Sequence, residues 1–299
     1  MERWSIRPYA GTLAEARGIL AVEQRTFGEC PYAPEELQAR LGAPESHVVL
    51  AEAAGQVIGF VAGLRTAGLC GPRLEADLLA VDPSWQRQGI ATALLTALRR
   101  TAGGVQALRG VVRPDNPASE RAFARAGFQP SAETYGLMIY RILGFVPRPL
   151  PAWSGEVRPL AGAHEAAALA ALAPEALPPA GDILAAAQRP GVTVLVATKT
   201  PDRSAETCQV SAAVELLEVH TLLYSGLWLE RALAARGQVA ALRTLIAAAV
   251  EEAKRRELDE VGCLAPRADR RLREALRGEG FVPLDCYRAW LAAPCETAP

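Results

Sequence analysis

The chain has 299 residues, of which 50% are apolar and 22% charged, and a formal net charge of −1. That length predicts two domains, and that composition supports buried cores and excludes wholesale disorder. The lack of a basic surplus excludes a general nucleic-acid binder, and no apolar run approaches the roughly 20 residues that span a bilayer, so neither nucleic acid nor membrane is an expected partner. The start, MERWSIRPYAG, has no apolar leader core, so a cytoplasmic location is expected. The six cysteines form no C-x-x-C pair, and His47, His164 and His220 are far apart, so no metal site is expected.

In chain order, Ser5–Pro8 reads as a short strand, followed by helices over Thr12–Phe27 and Pro34–Leu41. His47–Glu52 and Val57–Leu64 are apolar runs separated by Ala53-Ala54-Gly55-Gln56, a hairpin pattern. Leu74–Val81 is a further strand. After Gly89 a helix buries Ile90, Leu94, Leu95 and Leu98 on one face and ends at Gly103-Gly104. Ala107–Val112 reads as a strand, Asn116 as the cap of a helix ending at Gly127, and Thr134–Leu143 as the strand that closes the sheet.

Repeats organise the rest. Ile6-Arg7-Pro8-Tyr9-Ala10-Gly11 recurs as Val157-Arg158-Pro159-Leu160-Ala161-Gly162, an offset of 151. Gly127-Phe128 answers Gly280-Phe281 at an offset of 153. These matches predict a tandem duplication with domains over 1–146 and 155–299, joined by a Pro-rich linker over 147–154. In the second copy Val157–Leu160 and Val192–Thr198 read as strands, Val210–Trp228 as two more, Gln238–Arg256 as a helix, Glu260–Leu264 as a strand and Ala268–Arg277 as a helix. Each half is therefore expected to be mixed α/β, with a mainly antiparallel sheet flanked by helices.

The densest chemical signal is the segment from Leu78 to Ala91, where a strand runs into a polar loop and a glycine opens a helix. The first amides of a helix lack internal partners and sit at the positive end of its dipole, so a glycine there lets an anion approach. The spacing is Gln86-x-x-Gly89-x-Ala91, followed 25 residues after Ala91 by Asn116 and then by Gly127-Phe128. With these two motifs at this separation, residues 3–145 resemble the GCN5-related N-acetyltransferase (GNAT) superfamily.

The resemblance implies a tandem acetyltransferase that moves an acetyl group from acetyl-CoA to an amine of a small molecule or peptide. It implies that the loop Gln86, Arg87, Gln88, Gly89, Ile90, Ala91 and Thr92 holds the pyrophosphate. The backbone of Leu79, Ala80 and Val81 would meet the pantetheine arm, and the Leu79 amide would polarise the thioester. Asn116, Ser119, Arg121 and Phe123 would lie along the cofactor, with Arg87, Arg121 and Arg125 near the adenosine phosphate. Gln24, Phe27 and Tyr32 would flank the acceptor.

An amine of pKa about 10 is protonated at neutral pH and must lose a proton before it attacks a thioester. Glu75 and Asp77 share a strand face at i, i+2 and are the candidate bases, Glu75 at the family's position. Many relatives carry a tyrosine acid where this chain has Phe123. Tyr135 or water is then the candidate acid, and a non-catalytic acyl-CoA sensor is the rival reading. In the second half Val239 is aligned with Gly89, so that copy is expected to be degenerate and unable to cradle a phosphate.

Overall fold

The computed structural model describes residues 3–28, 32–142, 153–199, 209–222 and 224–295. The proline-rich stretch Val146–Pro151 lies outside the described residues. The elements follow one order twice. The first half contains β1 (Trp4–Pro8), α1 (Leu13–Phe27), α2 (Pro34–Leu41), β2 (Ser46–Ala53), β3 (Gln56–Gly68), β4 (Gly71–Val81), α3 (Ile90–Thr101), β5 (Ala107–Val112), α4 (Pro117–Arg125) and β6 (Gln129–Arg141). The second contains β7 (Glu156–Pro159), α5 (Ala163–Leu172), α6 (Ala180–Ala187), β8 (Val192–Lys199), β9 (Gln209–His220), β10 (Ser225–Ala234), α7 (Val239–Arg255), β11 (Glu260–Pro266), α8 (Arg270–Gly278) and β12 (Val282–Ala292). Both halves are mixed α/β, as the pattern predicted.

The repeat is visible in side chains as well as in order. Glu15 pairs with Arg7 and accepts the Ala10 amide. Glu165 pairs with Arg158 and accepts the Ala161 amide at 2.9 Å. Each carboxylate anchors the start of its helix to the preceding strand, where a negative charge also suits the helix dipole.

Two compact units emerge, and their last strands are exchanged. One comprises Met1–Thr66, Pro72–Ala132 and Tyr287–Pro299; the other comprises Ala67–Gly71 and Glu133–Cys286. The first unit's strand order is β1-β2-β3-β4-β5-β12, and the second's is β7-β8-β9-β10-β11-β6. The expectation that Thr134–Leu143 closes the first sheet is therefore corrected. Residues 135–141 of β6 pair antiparallel with 260–266 of β11, while Leu108–Val112 of β5 pairs with 288–292 of β12. Local pattern can identify a strand but not its partner, because partner choice rests on contacts far away in sequence.

In the first unit, Ile90, Leu94, Leu95 and Leu98 of α3 pack with Val61, Leu74, Leu108, Phe128 and Trp290. In the second, strand alternation feeds two cores. Leu195, Ala197, Val214 and Leu216 join α7 and α8, whereas Val194, Val196 and Ala213 join α5 and α6.

Trp290 lies far from the first half in sequence yet is buried in that unit's core. A fragment ending at residue 146 lacks it and exposes the outer edge of β5. Losing a buried tryptophan alone costs about 3–5 kcal/mol, against a total stability of about 5–15. The fragment is expected to give no cooperative thermal transition by circular dichroism; a sharp transition like that of the full chain would contradict the exchange.

Candidate active site

β4 and β5 run parallel over Arg73–Ala76 and Ala107–Gly110, and their register ends at Ala76↔Gly110. Past that point β4 continues to Val81 with the edge facing β5 uncovered. The Asp82 amide donates to Ile58 O in β3 at 2.9 Å. Backbone groups alternate along a strand, so the Val81 and Leu79 amides turn to the opposite, uncovered edge.

The loop after β4 is held open by local bonds. Asp82 Oδ1 accepts the Ser84 amide at 2.9 Å and caps a single 3₁₀ turn over Pro83–Trp85. Arg25 Nε of α1 donates to Asp82 Oδ2 at 2.5 Å. Burial pushes the Asp82 carboxyl up, but the Ser84 and Arg25 hydrogen bonds outweigh it and hold the group below the usual range. Gln86 Nε2 donates back to Val81 O at 3.1 Å. Arg87 and Gly89 then adopt positive φ of 63° and 84°, and α3 begins.

The first helical bond of α3 is Ala93 N–H to Gly89 O, so the amides of Ile90, Ala91 and Thr92 have no partner within the helix. A Cβ built on Gly89 meets nothing within 4 Å. The space beside it belongs to a groove of about 480 Å³ in this unit.

The groove gathers most of the residues expected from sequence. Leu79, Ala80 and Val81 form one side; Gln86, Arg87, Gly89, Ile90, Ala91 and Thr92 form the loop end; Asn116, Ser119 and Arg121 come from the start of α4. Asn116 caps α4 by accepting the Ser119 amide at 3.1 Å. Phe27, 56% exposed, also lines the groove. Sequence reasoning missed Thr26, Trp85, Ala118 and Ala122. Thr26 and Trp85 were legible only as neighbours of Phe27 and Gln86, because they reach the groove through the folding of α1 against the loop.

Other expected residues stand elsewhere. Gln88 is exposed and does not line the groove, and Gln24 is exposed on α1. Tyr32 carries the Arg40 guanidinium 4.9 Å above its ring. Tyr135 is a β6 residue of the second unit, opposite Pro266. Phe123 is a core residue and does not line the groove: it is 4% exposed, with its ring 5.0 Å from that of Phe128. Glu75 pairs with Arg73, and its other oxygen accepts from Arg109 Nε at 2.9 Å. Asp77 is the first β4 residue past the last β5 partner.

The second unit lacks the loop. Eight residues, Asp82–Gly89, separate β4 from α3, but only four, Ala235–Gln238, separate β10 from α7. Val239 is the first residue of α7, so it corresponds to Ile90; Gln238, with φ of −96°, takes the cap position of Gly89. This corrects the expected alignment of Val239 with Gly89. Asp269 caps α8 as Asn116 caps α4.

Residues 16–128 match the acetyltransferase (GNAT) family, whose general activity is acetyl transfer. A tandem GNAT protein from the clavulanic acid biosynthesis pathway, solved without AcCoA, has a TM-score of 0.56 at 16% identity, covering 99% of this chain and 100% of that one. A GCN5-related N-acetyltransferase from Sphaerobacter thermophilus has a TM-score of 0.64 at 16% identity, covering 98% and 96%. A glucosamine N-acetyltransferase region of a fungal multi-domain GH3 beta-N-acetylglucosaminidase has a TM-score of 0.62 at 15% identity, covering 98% of this chain and 38% of that one. At these identities the likeness is one of fold, and it spans both halves. Among the described residues, no helix is long and apolar enough to cross a membrane.

Proposed function

We propose that the first unit transfers an acetyl group from acetyl-CoA to an amine of a small molecule or peptide, and that the second unit binds no acetyl-CoA. The observation that carries this reading is the uncovered edge of β4 after Ala76, which leads directly to the Gly89 turn and its open space. Acetyl-CoA supplies the activated acetyl thioester. The Ile90, Ala91 and Thr92 amides provide donors for its pyrophosphate, and the Leu79 and Val81 edge provides peptide groups for its amide-bearing arm. Arg87, Arg121 and Arg125, all at the groove, supply positive charge for the adenosine phosphate. The Leu79 amide polarises the acyl carbonyl, and the acceptor enters beside Phe27.

The proton of the incoming ammonium passes to Asp77, directly or through water. Glu75 is the less available base, because its two oxygens are already engaged by Arg73 and Arg109. Nothing at position 123 protonates the leaving group. A thiol of pKa about 8.5 leaves tolerably as thiolate, so the reaction does not require an acid there.

Release of free thiol, assayed with a panel of amines, tests the reading. Asp77→Asn is expected to lower kcat at least tenfold, with a smaller effect from Glu75→Gln. The reverse order would move the base to Glu75. Tight coenzyme A binding with no thiol release on any amine would favour an acyl-CoA sensor.

A further inference from the structure

Phe123 stands where many acetyltransferases carry a tyrosine acid, and its surroundings explain the difference. Its ring lies against the backbone of β5 at Gly110, where any Cβ would collide with it. Trp290 of β12 is the register partner of Gly110, and the two aromatic rings are 6.2 Å apart. Phe128 closes the slot edge-on. Such an apolar slot favours a phenyl ring over a phenol, whose hydroxyl would need a partner when buried.

The slot matters because of what α4 carries. That helix has nine residues and buries only Ala122 and Phe123. A helix so short does not hold itself in place and takes its position from tertiary contacts. Its other face supplies Asn116, Ser119, Arg121 and Arg125 to the groove. A second tie comes from the same distant strand, where Arg288 of β12 reaches Glu120 of α4 at 3.5 Å. The wall of the groove is thus seated on the last strand of the chain.

We propose that Trp290 is a positioning residue for coenzyme binding. With Gly110 it forms the seat for Phe123 and so sets where α4 presents its polar groups to the groove. This inference rests on the acetyl-CoA reading of that groove.

The experiment measures coenzyme A affinity by titration calorimetry on full-length protein shown to be folded by circular dichroism. Trp290→Ala is expected to weaken binding at least tenfold. Trp290→Leu, which keeps more apolar volume, is expected to fall between Trp290→Ala and the unsubstituted protein and serves if the alanine variant does not fold. Trp290→Phe is expected to stay within about threefold of the unsubstituted protein, because it keeps a ring in the slot and removes a buried indole N–H that has no partner among the described residues. Leu291→Ala, on the other face of β12 and exposed, is expected to change nothing. Folded alanine and leucine variants with unchanged affinity would overturn the positioning role while leaving the groove reading intact. Failure of the unsubstituted protein to bind coenzyme A would overturn both.

Discussion

Gly89→Val is expected to weaken coenzyme A binding about a hundredfold, roughly 3 kcal/mol, with little loss of fold stability. The reasoning starts from backbone geometry. Gly89 caps α3 at φ 84°, a left-handed conformation that costs an L-residue about 1–2 kcal/mol. Valine, branched at Cβ, tolerates it least and would shift the turn toward negative φ. That shift rotates the amides of Ile90, Ala91 and Thr92 away from a common focus. The new methyl groups would also project into the groove, since a Cβ there meets nothing within 4 Å. The same openness is why the core survives: no buried neighbour is displaced. Calorimetric titration with coenzyme A and a thermal melt separate the two effects. A melt lowered by many degrees with unchanged affinity would place the phosphates elsewhere. Gln238→Gly in the second unit is expected to create no coenzyme site, because the loop before α7 is four residues long against eight before α3.

A large loss of stability is also expected from one substitution in the second unit. Glu215 is 1% exposed, accepts from Arg231 Nη1 at 2.5 Å and accepts the Leu69 amide at 2.6 Å. Leu69 sits at the tip of the β3–β4 hairpin and is buried with Val194, Val196 and Ile183. Glu215→Ala leaves the half-buried Arg231 guanidinium without this carboxylate and the buried Leu69 amide without its acceptor, and is expected to cost about 3–5 kcal/mol by denaturant unfolding. A loss below about 1 kcal/mol would show that water or another acceptor replaces the carboxylate.

The same residue gives a pH signature. Burial pushes the Glu215 carboxyl above its ordinary 4.5, although Arg231 and the Leu69 amide pull the other way. A raised value in the folded state means that its contribution to stability is complete below 4.5 and fades as pH rises through the folded value. Glu215→Gln cannot ionise. Its stability is therefore expected to fall less than that of the unsubstituted protein as pH rises above 4.5.

Much of this was readable from the chain alone. The α3 stripe of Ile90, Leu94, Leu95 and Leu98 is a short-range pattern at helical spacing, and all four residues are buried. The Asn116 cap and the glycine before α3 are local devices, encoded within a few residues, and both stand where the motif places them. The candidate groove loop was legible for that reason: it is a strand, a turn and a helix start in unbroken sequence. Extension of the β3–β4 hairpin to Gly68 and Gly71 was not legible. The apolar run ends at Leu64 and the next strand pattern begins at Leu74, and the Glu215 carboxylate that holds Leu69 is 146 positions away.

The last strands show where local information ends. Local pattern marks Thr134–Leu143 as a strand but does not reveal that its partner is β11, and nothing local marks Val282–Ala292 as a strand. Its first four residues are exposed and include Pro283, so neither clean alternation nor an apolar run marks it. The sequence by itself determined the duplicated order of elements, the glycine turn and the capped helix, because each depends on neighbours along the chain. Only the tertiary structure decided that β12 borders β5, that Phe123 fills a slot beside Trp290 and that Glu75 lies between two arginines. Those outcomes depend on surfaces brought together from distant positions, where the free energy of burial and charge pairing, rather than local propensity, selects the partner.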